Sequence, residues 1–229
     1  MSKKLKVLGL ALMAVCAFGA VSAVGAQAAP VFTVNGISSG NEALASTVTP
    51  TPAGADYTLV VPNLLKVTCK KAEIDNGHIT VGTDEGTIES ITFFECEVLQ
   101  PNGEKTTCKV QGGTPAKNGE IHTLPVRVTL STGPAGQHYV TFLEDPPSTL
   151  FVELKITECG LEGKTKITGT AVGAVLSSET LATNQEIEAS EAIQNASGKS
   201  LLIGARKMFL IGKFDIHLAS DRNWGVSGW

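Results

Sequence analysis

The sequence predicts an all-β fold: an antiparallel β-sandwich or barrel stapled by two disulfides. Three observations predict it. From Tyr57 onward apolar and polar residues alternate with a period of two, the strand period. Turn dipeptides such as Asn76-Gly77, Asn102-Gly103 and Asn118-Gly119 separate these runs at short intervals. Four cysteines, Cys69, Cys96, Cys108 and Cys159, follow a segment that reads as an export leader.

The leader is residues 1–28. Lys3, Lys4 and Lys6 form a basic head, Val7 to Val24 is uncharged and apolar or small, and Ala26-Gln27-Ala28 supplies the small-x-small pattern cut by signal peptidase. A retained membrane anchor fits less well, because the apolar run is rich in Ala and Gly and ends in a cleavage site. Lipidation at Cys16 fits poorly too, since bulky Val15 precedes it and the apolar run continues past it. The expected product is secreted, extracellular or held at the cell envelope. Three lysines and no acids leave with the leader, so the mature chain has 15 basic and 22 acidic residues, a net charge of −7. That balance argues against nucleic acid and anionic membrane as partners. No later stretch is long and apolar enough to span a bilayer as a helix.

Residues 29–56 break the composition. Val31-Phe32-Thr33-Val34 suits a short strand, and Gly, Ser, Thr, Asn, Ala and Pro then dominate, which predicts a flexible lead-in or long loop. Residues 57–229 are expected to form a single β domain. Strands are expected at 57–61, 64–70, 78–82, 89–98, 104–110, 122–130, 138–143, 150–156, 165–176, 200–205 and 208–218. In 122–130 Pro125 predicts an edge strand or a bulge. In 208–218 the pattern predicts burial of Met208, Leu210, Phe214, Ile216 and Leu218 and exposure of Lys207, Lys213, Asp215 and His217. Residues 186–194 fit either a short helix or an edge strand. With only 5% aromatic residues, the core must be built mainly from Val, Ile and Leu. Leu65-Lys66-Val67-Thr68-Cys69 is weakly echoed by Leu154-Lys155-Ile156-Thr157-Glu158-Cys159, too little on its own to define a repeat.

Several short motifs occur in order: Val67-Thr68-Cys69-Lys70-Lys71, Phe93-Phe94-Glu95-Cys96, Cys108-Lys109-Val110, Cys159-Gly160-Leu161-Glu162-Gly163-Lys164, Thr168-Gly169-Thr170-Ala171-Val172-Gly173 and Trp224-Gly225-Val226. The chain from about Tyr57 to Val226 thereby resembles a set of secreted four-cysteine all-β proteins from actinobacterial lineages. The resemblance implies export, a β fold and the cysteine framework, and it brings no catalytic residues.

The cysteine pairing expected from register is Cys96 with Cys108. Gln100-Pro101-Asn102-Gly103 suits a type I turn followed by a left-handed Gly103, which sets Gln100 opposite Glu104. Counting back puts Cys96 opposite Cys108 and Phe94 opposite Val110, on one largely apolar face. Cys69 then pairs with Cys159 by elimination, a pairing the resemblance also implies. With no CxxC pair, a zinc site is a poor competitor.

No catalytic, cofactor-binding or metal-binding constellation emerges. His78, His122, His138 and His217 are scattered, without metal-ligand spacing. Glu144-Asp145-Pro146-Pro147 and Thr83-Asp84-Glu85-Gly86 are acidic turns that lack the spacing of a dedicated calcium loop. No G-x-S-x-G elbow is present. Trp224 and Trp229 are the only tryptophans, few for a sugar-stacking platform. Asn195-Ala196-Ser197 matches a glycosylation sequon, frequent by chance. The expectation is a non-enzymatic extracellular or envelope domain, in surface interaction or adhesion. A secreted hydrolase with a scattered site and a small-ligand carrier are the alternatives. A deep polar cleft would mark the hydrolase and an apolar cavity the carrier.

Overall fold

The structure, a computed structural model, describes residues 29–228 apart from 115–116, 134–135, 160–162 and 178–179. The expected leader, Cys16 and Trp229 lie outside the described residues.

In chain order, β1 (Val31–Val34), β2 (Gly40–Ala43) and β3 (Thr47–Pro50) come first, followed by the hairpin of β4 (Tyr57–Val61) and β5 (Leu65–Cys69). β6 (Lys71–Asp75), β7 (His78–Val81), β8 (Glu85–Ile88) and β9 (Ser90–Phe94) make one long bent hairpin, with β7 against β8 and β6 against β9. β10 (Glu97–Leu99) and β11 (Lys109–Gly112) flank the turn at Gln100–Gly103. β12 (Ile121–His122), β13 (Val126–Thr132), β14 (His138–Glu144), β15 (Val152–Thr157) and the long β16 (Gly163–Val175) follow. The chain ends with β17 (Asn184–Ala189), helix α1 (Glu191–Ser197), β18 (Leu201–Ile203), β19 (Arg206–His217) and β20 (Trp224–Ser227).

The pairings close on themselves. Short strands join end to end into long bent staves, each hydrogen-bonded to the next in sequence and antiparallel to it. β2 and β3 form the first stave, β6 with β7 the second, β8 with β9 the third, β12 with β13 the fourth and β14 with β15 the fifth. β16 is the sixth, β17 with β18 the seventh and β19 the eighth. β19 returns to the first stave through Phe214↔Pro50, Asp215↔Thr49 and the bridge Leu218↔Leu44. This is an up-and-down barrel, which removes the strand edges that an open sheet would leave unpaired.

Period-two alternation makes this closure possible. Val126, Val128 and Leu130 are buried while Arg127 and Thr129 are not. Met208, Phe214, Ile216 and Leu218 are buried as expected and Lys207 is exposed. Leu210, Lys213, Asp215 and His217 are half-buried. Apolar side chains face inward and Lys, Glu and Thr outward, the reverse of a membrane-spanning barrel. No described helix is long and apolar enough to cross a membrane.

Several expectations change. Within 29–56, expected as a flexible lead-in, β2 and β3 form a barrel stave and β1 pairs with β20 to close one mouth. There Phe32 and Trp224, 1% and 2% exposed, meet with ring centroids 6.3 Å apart. Polar composition conceals the stave because its burial is slight: Leu44 and Val48 are its inward residues. Pro125 lies in a break rather than in a strand, since it has no N–H to give to the ladder. Residues 186–194 are both structures in turn, a strand to Ala189 and a helix from Glu191, with Ser190 accepting the Ile193 N–H as N-cap.

The disulfides are Cys69–Cys96 and Cys108–Cys159, which corrects the expected Cys96–Cys108 and Cys69–Cys159. The turn itself forms as read: Gly103 donates to the Gln100 carbonyl and Gln100 to the Glu104 carbonyl, with Gly103 at φ 91. The register extrapolated from it fails because both arms leave the hairpin. β10 pairs with β5, Val98↔Val67, and β11 pairs with β15, Val110↔Ile156. All four of these residues are buried. The expected strand 89–98 also breaks at Glu95, whose φ of 54 shifts the alternation so that Phe93 enters the core rather than Phe94.

Candidate functional site

Both disulfides sit where the lower half of the barrel splits. β4, β5 and β10 branch from β19 on one side, and β11 wedges between β12 and β15 on the other. Two similar clasps result. Thr68↔Glu97 sets Cys69 opposite Cys96, with Cα atoms 4.0 Å apart. Lys109↔Thr157 brings Cys108 beside Cys159, with Cα atoms 4.9 Å apart. The second cysteine of each pair follows a glutamate in left-handed backbone, Glu95 at φ 54 and Glu158 at φ 64. Each glutamate pairs with a lysine near the first cysteine: Lys71–Glu95 at 2.7 Å and Lys109–Glu158 at 2.8 Å. Hydrogen bonding from Lys71, then its charge, hold the Glu95 carboxyl below the ordinary carboxylate range, and Glu95 raises Lys71 in turn.

Between the clasps, the diverging arms leave a surface groove of about 350 Å³. Cys96 and Cys108 line it, with Glu97, Lys105 and Lys109. Glu97 and Lys105 pair at 2.9 Å, so the groove presents both signs of charge on backbone fixed by two crosslinks.

A second constellation runs across β6, β9 and β12. Asp75 accepts hydrogen bonds from Ser90 at 2.8 Å and from Thr92 at 3.4 Å. The Thr92 hydroxyl lies 3.0 Å from His122 Nδ1, and His122 Nε2 lies 3.4 Å from Glu120. Hydroxyl, imidazole and carboxylate in that order match a nucleophile, a base and its orienting group. Thr92 is only 3% exposed, however, so an electrophile has no approach to its oxygen. Its evident role is to satisfy polar groups across three strands. Of these residues the sequence singled out His122 alone, because the pairing of β9 with β12 bridges some thirty residues and leaves no local signal.

The barrel interior is filled. Its larger void, lined by apolar side chains including Tyr57, Phe93 and Phe214, is about 50 Å³, and a second below Phe32 is about 20 Å³. A water molecule occupies about 30 Å³ of liquid volume, so neither void is the ligand cavity that a carrier requires.

The remaining candidates are separate. His78 touches Thr87, His138 is buried in β14 and His217 lies at the far end of β19. Among the described residues no three His, Cys, Asp or Glu side chains are placed to hold a metal. Glu144 accepts the Gly169 N–H where β16 bends. In the Thr83–Gly86 turn the Thr83 hydroxyl donates to the Thr80 carbonyl and accepts the Glu85 N–H. Trp224 is core, and Asn195 is exposed on α1, accepting a hydrogen bond from Lys207. Comparison with known protein families, curated proteins and solved structures finds no match to this chain.

Proposed function

We propose that the mature chain, cut after Ala28, works outside the cell or in the cell envelope as a rigid non-enzymatic domain for surface interaction or adhesion. In this reading the chain belongs with the secreted four-cysteine proteins that its motifs resemble. The crosslinked groove supports it most. Disulfides persist in oxidising compartments, and both of them brace a surface groove that carries paired charges on stiff backbone. A fixed backbone lowers the ordering cost of binding.

Retention of residues 29–229 on intact envelope preparations tests this. Replacing Glu97, Lys105 and Lys109 together by Ala should abolish retention and leave the melting temperature nearly unchanged. Retention that survives the triple substitution would remove the groove from the reading, and an exported product still carrying residues 1–28 would remove the leader.

A secreted hydrolase would have to use the partly exposed His122 and Glu120 without Thr92, whose hydroxyl is buried and donates to Asp75. Ester or glycoside hydrolysis lost on His122→Ala in a folded variant would displace the first reading.

A further inference from the structure

We infer that residues 100–108 form a strap along the groove between the clasps, and that the Cys108–Cys159 disulfide is a redox-sensitive latch on it. A dithiol reductant opens this bond and frees the strap while Cys69–Cys96 stays closed. As a control of binding, the latch rests on the reading of that groove as the interaction surface. As a property of the fold, it does not.

The strap is lightly held. No residue from Gln100 to Cys108 is buried. Its bonds to the rest of the chain, among the described residues, are few. The Thr106 N–H and hydroxyl both donate to the Val98 carbonyl, and the Thr107 hydroxyl donates to the Glu158 carbonyl at 3.1 Å. Lys105 adds its exposed ion pair with Glu97. The Gln100 N–H and the Cys108 N–H are spent within the strap, on the Glu104 carbonyl and the Thr106 hydroxyl. A segment with few buried contacts and exposed hydrogen bonds lies at the low end of local stability, so the disulfide is what fixes its far end. Lys105, Thr106 and Cys108 are the strap's share of the groove wall. Release therefore opens the groove on that side. It stops at Lys109, because Val110 is buried against Ile156 in the next stretch of ladder.

The two disulfides differ in access and in what they hold. Cys69 and Cys96 are 1% and 7% exposed. Their strands stay paired without the bond, through Thr68↔Glu97 and through the Cys96 N–H on the Gly119 carbonyl. Cys108 and Cys159 are both partly exposed. Thiol–disulfide exchange needs a thiolate to reach a sulfur, so access selects the second bond. One thiolate of the dithiol attacks one sulfur of Cys108–Cys159, forming a mixed disulfide and expelling the other cysteine as thiolate. The second thiol, deprotonated, closes on the first and expels the remaining protein sulfur. The dithiol ends as a cyclic disulfide, two electrons poorer, and its two protons pass to Cys108 and Cys159.

The experiment treats the mature chain with dithiothreitol under native conditions, quenches with iodoacetamide at intervals and maps the alkylated cysteines. Cys108 and Cys159 should be alkylated about tenfold faster, or more, than Cys69 and Cys96. In the half-reduced chain, amide exchange at Thr106 and Cys108 should rise about tenfold or more while the β5–β10 and β11–β15 ladders stay protected. A variant combining Cys108→Ser with Cys159→Ser should show the same exchange without reductant. Alkylation of Cys69 and Cys96 first, alkylation of both pairs together, or unchanged exchange at Thr106 and Cys108 would each overturn the latch. The order of alkylation in the unaltered chain decides even if the double variant fails to fold. On envelope preparations that retain the oxidised chain, the half-reduced chain should be held less, and undiminished retention would overturn the latch as a control of binding. No retention of the oxidised chain would remove the groove reading alone and leave the order of alkylation to judge the latch.

Discussion

Gln194 holds both backbone groups of Leu210: its side-chain amide donates to the Leu210 carbonyl at 2.7 Å, and its amide oxygen accepts the Leu210 N–H at 3.4 Å. On that side β19 pairs with β18 up to Met208 and with β17 from Gly212 onward. Leu210 falls between the two, and α1, which links β17 to β18, places a fully buried glutamine where a strand partner is missing. A second donor bond from Gln194 to the Ser190 carbonyl completes its amide. Gln194→Ala should therefore leave polar groups unpaired and destabilise by about 1–3 kcal/mol for each one buried. Asn195→Ala, one residue on and exposed, should stay within about 0.5 kcal/mol. Urea midpoints of the two variants check this, and equal midpoints would exclude the bridging role.

Peptide mapping without reduction should yield fragments linking Cys69 to Cys96 and Cys108 to Cys159. The sequence separations of 27 and 51 residues give entropic contributions of about 3.5 and about 4 kcal/mol. Removing the second bridge by a double Cys→Ala substitution should thus cost at least as much stability as removing the first. A Cys96–Cys108 fragment would refute the observed branching of β10 and β11.

Phe214 and Lys213 are neighbours on opposite faces of β19. Phe214 is 6% exposed and its ring lies 6.2 Å from that of Tyr57. Phe214→Ala should cost about 3–5 kcal/mol, as for other buried aromatics. Lys213 forms a 2.8 Å ion pair with Glu186 on the outer face, and the hydrogen bond to Glu186 raises its pKa. Lys213→Ala should have a far smaller effect, as ion pairs on the solvent-facing side of a sheet contribute little. Comparable losses in thermal melts would contradict the assignment of faces.

Tyr57 predicts the behaviour in alkali. Burial pushes its hydroxyl well above the ordinary tyrosine range and nearby Asp215 pushes it further, while the O–H donates to the Val48 carbonyl at 3.0 Å. The folded chain therefore keeps this proton after the unfolded chain has lost it, at a pH of about 10. With the folded pKa raised, the contribution is complete below about pH 10 and declines as pH rises beyond it. Tyr57→Phe should flatten that decline at some cost in stability at neutral pH. An unchanged slope in denaturation curves above pH 10 would show that Tyr57 does not control it.

The sequence by itself determined what depends on near neighbours. Alternation fixed which face of each strand is apolar, as in Val126, Val128 and Leu130, because successive side chains point to opposite sides whatever the partner. Residue chemistry likewise fixed the Gln100–Gly103 turn, which closes through its own backbone and needs only a left-handed Gly103. Tertiary structure alone decided the partners. Beyond Thr106 the two arms had no local reason to stay together, and burial of Val98 against Val67 and of Val110 against Ile156 drew them apart and reassigned all four cysteines. The same holds for Thr92 beside His122 and for Gln194 beside Leu210. Each is set by strands and a helix that meet only when the barrel closes, and hydrophobic burial, which drives that closure, is non-directional and leaves no mark of partner choice in any short stretch of chain.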